Sequence, residues 1–205
     1  MPEILAPAGN MDMLRAAVIN GADAVYLGLS RFSARAKAAN FDGDDLSEAI
    51  NYAHLYGVKV YVAINTVITN DEIADALDSA LRALDCKADA LILQDLGLAQ
   101  LIRKERPNAV LHASTQMGIH NPEGAIVAKK LGFSRIILAR ETLLEDIVKI
   151  KKSLDIEVEC FVQGALCIAF SGNCYFSSFV SGYSGNRGKC MQLCRKQYGA
   201  TVGSK

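Results

Sequence analysis

Seven short apolar stretches recur along this sequence, each followed by a longer amphipathic one, and this alternation limits the possible folds more than any other feature. The stretches are EILAPAG, ADAVYLG, VKVYVAIN, ADALILQD, AVLHAST, SRIILAR and EVECFV. Between them apolar residues fall at helical spacing, as in Leu46, Ile50, Ala53 and Tyr56, then Ile73, Ala76, Leu77, Ala80, Leu81 and Leu84, then Leu98, Leu101 and Ile102. Strands that are apolar almost throughout and joined by helices make a parallel sheet covered on its outer face. Asn10, Asn70 and the pair Asn121-Pro122 mark helix starts, and Gly21, Gly57 and Gly132 mark helix ends.

Seven βα units without a glycine fingerprint after the first strand fit a TIM-like (β/α) barrel better than an open doubly wound sheet. The eighth strand is missing from the count. Either it lies beyond Lys205 in a longer parent, or the region after Cys160 closes the barrel irregularly. The expected fold is therefore α/β: an incomplete barrel holding strands one to seven over residues 1–163. A cysteine- and glycine-rich segment of the same domain follows over 164–205, at the carboxyl-terminal mouth where this architecture carries its active sites.

Charge is unevenly placed. The formal net charge is +0, yet no Asp or Glu occurs after residue 159, whereas Arg187, Lys189, Arg195, Lys196 and Lys205 do. An acid-free basic tail favours an anionic partner, because local field rather than summed charge attracts phosphate. No apolar run approaches the roughly 20 residues of a membrane span. The opening MPEILAPAG has none of the features of a secretory leader, so a cytoplasmic location is expected.

Reducing surroundings make structural disulfides poor candidates, although five of the six cysteines fall between Cys160 and Cys194. Cys167 and Cys174 are separated by six residues, Cys174 and Cys190 by fifteen, and Cys190 and Cys194 by three. Four thiolates can hold a zinc ion or a cubane iron–sulfur cluster. The absence of a close C-x-x-C knuckle and the abundance of glycine favour the cluster; packing of small residues in a glycine-rich loop is the alternative. Cys86 and Cys160 are assigned to packing.

Polar residues that end apolar strands are candidate site residues, since a buried polar group needs a partner or a substrate. They are Asn65, Gln94, His112, Gln116 and Arg140, with Arg35 in the loop after the second strand. His112 is the candidate for proton transfer, the alternative being a core histidine satisfied by a backbone carbonyl. Arg35 and Arg140 suit a carboxylate, to which guanidinium makes paired hydrogen bonds. Alternatively, Asp95, Asn65 and Glu141 cap helices and Arg140 pairs with Glu141 or Glu159. No nucleophile elbow and no H-E-x-x-H motif is present, so peptide hydrolysis has no direct support.

Several blocks carry a family likeness: LAPAG from Leu5, GADAVYLG from Gly21, the run ending at Arg35, Asn40, Asn65-Thr66, QDLG from Gln94, LHASTQM from Leu111, and above all Glu159 to Cys167 with Ser171 to Cys174 and Ser184 to Arg195. In these the chain resembles the peptidase U32 family, also called collagenase-like proteases, and looks like their N-terminal portion. It departs from the common form at Gln163, where histidine is usual, and at Ser33, where asparagine is frequent.

The resemblance implies a [4Fe–4S] cluster on Cys167, Cys174 and Cys190, with Cys194 or a later cysteine as fourth ligand. It also implies oxygen-independent hydroxylation of an RNA base, either the transfer RNA wobble uridine or a ribosomal RNA cytidine, with prephenate as oxygen source. Arg187, Lys189, Arg195 and Lys196 would meet RNA phosphate, and Tyr183 and Tyr198 would stack on bases. Two other functions stay open: the peptidase activity of the family name, and a non-catalytic cluster-bearing partner. A further C-terminal domain or a partner is expected to cover the open barrel edge.

Overall fold

The computed structural model describes residues 1–34, 39–164 and 167–199. Strands and helices alternate: β1 (Leu5–Ala8), α1 (Met11–Ile19), β2 (Ala24–Gly28), α2 (Gly43–Leu55), β3 (Lys59–Ile64), α3 (Ile73–Asp85), β4 (Ala90–Leu93), α4 (Leu96–Glu105), β5 (Leu111–Ala113), α5 (Pro122–Lys130), β6 (Arg135–Ile137), α6 (Leu144–Ser153) and β7 (Glu157–Glu159). The strands form one parallel sheet in sequence order. Each of the seven apolar stretches is one of these strands.

Side chains alternate across a strand, and the sheet sorts them into two cores. Val25, Leu27, Val60, Val62, Leu91, Leu93 and Ile136 face the helices, against Leu14, Ile50, Ala80 and Leu98. Ala24, Tyr61, Ala63, Ala90, Ile92 and Ile137 face the other way and pack with Leu5 and Tyr26. Each large aliphatic side chain so buried contributes about 1.5–3 kcal/mol.

The inner face encloses a curled sheet. In a flat one, β1 and β6 would lie about 24 Å apart, five strand spacings. Yet Glu3, just ahead of β1, accepts a hydrogen bond from Arg135 of β6 at 2.6 Å. The curl stops short of closure: β1 pairs with β2 and β7 with β6, and among the described residues the two edges do not pair with each other. This is an open, incomplete barrel.

Helix ends follow local chemistry. Asn10, Asp95 and Asn121 accept amide hydrogens from Met13, Leu98 and Gly124. Asn70 differs from expectation: Thr69 is the cap, joined to Glu72 in a capping box over a short 3₁₀ turn. The strand seen in EVECFV ends at Glu159, which leaves Cys160 exposed rather than packed, whereas Cys86 packs against the outer core. After Gly164 the sequence shows no period, but a short helix forms there, α7 (Phe176–Ser181), with 3₁₀ turns at Gly185–Arg187 and Leu193–Arg195.

Candidate functional site

Residues that follow the strands meet at the carboxyl-terminal end of the sheet. Asn65, after β3, accepts the Ala34 amide at 2.9 Å and donates to Ser114 Oγ at 3.3 Å. Ser114, after β5 and fully buried, also accepts the Gln116 amide at 3.2 Å. Asn65 therefore ties three loops together and, among the described residues, caps no helix. Gln94 continues the inward parity of Ala90 and Ile92, and its Oε1 is buried without a hydrogen-bond partner among the described residues. An unsatisfied buried carbonyl costs about 1–3 kcal/mol, so this oxygen calls for a donor.

Arg140 and Glu141 meet over a serine. Ser171 Oγ accepts from the Arg140 backbone N–H at 3.3 Å and from its Nε at 3.4 Å, and donates to Glu141 Oε2 at 2.9 Å. The Ser171 amide donates to Glu141 Oε1 at 2.8 Å. Burial opposes ionisation of Glu141, but these hydrogen bonds hold its carboxyl below the usual range. Glu159, the other expected partner of Arg140, instead lies 3.5 Å from Arg135. Arg35 lies outside the described residues.

The cysteine-bearing segment is fastened over these strand ends. Gly172, at φ +77°, lies so close to Gln116 that a Cβ would collide with its carbonyl, and a Cβ on Gly188 would strike the Ser33 and Ala34 backbone. Asn186 O accepts the Val67 amide at 3.2 Å. Arg187 reaches Glu72 with both Nη atoms, one of them at 2.8 Å from Oε2. That paired hydrogen bond holds the Glu72 carboxyl at about 2.

Thiol chemistry suits a soft metal centre, since none of Cys167, Cys174, Cys190 and Cys194 is held in a disulfide. Cys190 Sγ accepts the Gln192 amide at 3.4 Å, and Gly185 packs beside it, where an added Cβ would lie at ordinary contact distance, 3.9 Å, from that sulfur. Donor type fits an iron–sulfur group. Donor placement does not yet gather a set: among the described residues no three His, Cys, Asp or Glu side chains stand together as metal ligands.

His112 belongs elsewhere. It points into the barrel interior, 3% exposed, edge-on to Tyr61 at 4.7 Å. Around it lie the groups at the strand starts. Glu3 accepts from Tyr61 at 2.9 Å, Lys59 at 3.2 Å and Arg135 at 2.6 Å. Arg135 also reaches Glu157 at 2.7 Å. Burial, then the Arg135 charge, drive the His112 pKa down to about 3, and its Nδ1 has no hydrogen-bond partner among the described residues. The expectation of a mouth histidine carrying protons meets a neutral interior ring instead, because β5 enters the barrel level with Arg135. Burial pushes the Glu159 carboxyl up to about 7, with Arg135 only partly opposing it.

Sequence reasoning passed over Ser171 and Glu72. Ser171 lies in the S-G-N-C run beside Cys174, and Thr69-x-x-Glu72 has the spacing of a capping box, but the Arg187 partner is 115 residues away.

The sequence pattern described as Peptidase family U32 matches residues 9–205. The chain belongs to that family. This U32 chain is 42% identical over 196 residues to the 23S rRNA 5-hydroxycytidine C2501 synthase of Escherichia coli K12, covering 96% of this chain and 29% of that protein. It is 39% identical over 198 residues to tRNA hydroxylation protein P1 of Bacillus subtilis 168, covering 96% and 47%. It thus spans less than half the length of either relative. Among solved structures, the U32 peptidase Mk0906 superposes with a TM-score of 0.64 at 16% identity, over 78% of this chain and 68% of that one, a likeness of fold. No helix among the described residues is long and apolar enough to cross a membrane.

Proposed function

We propose that this U32 chain is the barrel portion of an iron–sulfur enzyme that hydroxylates an RNA base without molecular oxygen, with prephenate as oxygen source. The observation that carries the reading is the docking of the thiol-bearing segment over the strand ends that hold Asn65, Gln94, Gln116 and Arg140. It is supported by the names of the two curated relatives, a ribosomal RNA cytidine hydroxylating enzyme and a transfer RNA hydroxylation protein. Cys167, Cys174 and Cys190 would hold a [4Fe–4S] cluster, with Cys194 or a cysteine from further sequence as fourth ligand. When bound, that cluster supplies the redox chemistry.

The chain's own residues do the rest. Arg140, steadied by Ser171 and Glu141, would bind a carboxylate, with Arg35 as a second cation. The unsatisfied Gln94 carbonyl would accept a hydrogen bond from the substrate, such as a base imino or amino group. Asn65 and Gln116 shape the floor, because Asn65 and the Gln116 backbone share Ser114.

Anaerobic preparations of wild type and Cys174→Ala, analysed for iron, acid-labile sulfide, zinc and visible absorbance, test the cluster. Stoichiometric zinc without sulfide in the wild type, or an unchanged cluster signal in the variant, overturns it. Arg140→Ala with cluster content unchanged should lose prephenate affinity. Mass spectrometry of RNA from cells lacking the protein should show the missing hydroxylated base.

A further inference from the structure

We infer that Gln94 reads the Watson–Crick edge of the target base and so decides which bases the barrel mouth accepts; this deepens the RNA reading above and rests on it. Strands β3, β4 and β5 end together, since Ile64 pairs with Leu93 and Leu93 with Ala113. The residues that follow, Asn65, Gln94 and Ser114, therefore stand side by side. Both neighbours of Gln94 are committed to other groups: Asn65 accepts the Ala34 amide at 2.9 Å and donates to Ser114 at 3.3 Å, and Ser114 Oγ accepts the Gln116 amide at 3.2 Å. Gln94 Oε1 stays outside that network, buried and without a hydrogen-bond partner among the described residues.

The backbone on either side of Gln94 is pinned. The Leu93 carbonyl accepts the Ser114 amide at 2.8 Å, and Asp95 caps α4 by accepting the Leu98 amide at 2.8 Å. Only the side chain is left to turn, about a terminal torsion that is broad and two-fold. Gln94 as a whole is half-buried, so its amide borders the opening. The chemistry of a carboxamide then selects the ligand. A carbonyl oxygen only accepts, so a carboxylate offers it nothing, and an uncharged amide is a poor anchor for a cation. What fits is a neutral edge with a donor beside an acceptor. Uracil presents N3–H beside O4, and cytosine presents N4–H beside N3; turning the amide over serves either order. In a duplex that edge is taken by the opposite base, so the fitting ligand is unpaired.

The test is fluorescence anisotropy of the full chain with RNA oligonucleotides that hold one base among abasic residues. Wild type should bind uridine about 5- to 150-fold more tightly than 3-methyluridine, and cytidine more tightly than N4,N4-dimethylcytidine by a similar factor, the worth of one bidentate amide contact. Gln94→Met should bring both ratios to about 1. Its urea midpoint should equal or exceed that of wild type, because an apolar side chain replaces a carbonyl that lacks a donor. Gln94→Glu, which only accepts, should keep cytidine through its amino group and reject uridine, whose O4 it repels. If wild type binds RNA without these preferences, or Gln94→Met keeps them, the assignment of Gln94 is wrong and the RNA reading stands; if wild type binds no RNA, both fall. Weakened prephenate binding by Gln94→Met with both base ratios kept would reassign the amide to the co-substrate.

Discussion

At the scale of single residues, the barrel interior holds two groups whose titrations oppose each other. His112 has a folded pKa of about 3 against an ordinary 6.5, so an unfolded chain binds its proton first and stability drains away as pH falls below about 6.5. Glu159 is raised to about 7 from 4.5, so here the folded chain holds the extra proton and stability drains away as pH rises from about 4.5 towards 7. Between about pH 5 and pH 7 the two slopes partly cancel in the wild type. Removing one should expose the other. Urea unfolding of Glu159→Gln should show a midpoint that climbs with pH across that window more steeply than wild type. His112→Gln should show one that falls. Parallel profiles in all three proteins would mean that these side chains are solvated rather than held in the interior.

At the scale of elements, the segment after β7 is held to the barrel by contacts that no local pattern announces. Glu72 is the third residue of a capping box, a role that glutamine fills equally well, so Glu72→Gln removes the charge opposite Arg187 while keeping the cap. With both side chains partly exposed, the loss should be about 1 kcal/mol. Amides of residues 184–195 should then exchange about fivefold faster, with the start of α3 unchanged; hydrogen–deuterium exchange by mass spectrometry measures both. Equal exchange in the two proteins would show that the glycine contacts at 172 and 188 hold the segment alone. This division also explains what was legible in the sequence. The strands, the caps at Asn10 and Asn121 and the glycine stops are written in periods and local hydrogen bonds, and the structure has them all. The helix FSSFVS was not legible, because its apolar residues point outward and its serines inward, against the usual pattern. Asn65, Gln94 and Arg140 stood out as polar ends of apolar strands. Ser171 did not, since what gives it meaning is contact with Arg140 and Glu141 some 30 residues away.

At the scale of the whole molecule, the sheet curls without closing, and one ionic cluster spans the opening on its inner side. Arg135 of β6 is shared among Glu3 ahead of β1 and Glu157 and Glu159 of β7, so it ties together the two edges that do not pair. Its guanidinium also lies over the Tyr61 ring, 5.1 Å from the centroid. Burial opposes ionisation of Glu3, but hydrogen bonds from Arg135, Tyr61 and Lys59 outweigh it and hold the carboxyl at about 2. Removing the arginine alone would leave several carboxylates facing one another in a partly desolvated space, a change that typically costs about 3–5 kcal/mol. Arg135→Met should therefore lower stability by that order near neutral pH. The double variant with Glu3→Gln should recover part of it, because it withdraws one of the charges left unpaired. Amides of β1 and β7 should exchange faster in Arg135→Met while those of β3 and β4, at the centre of the sheet, keep their protection. If the loss were spread evenly over all seven strands, or if the double variant were simply additive, the cluster would be a local ion pair and the curl would be set by the apolar inner face of Ala24, Tyr61, Ala63, Ala90 and Ile92.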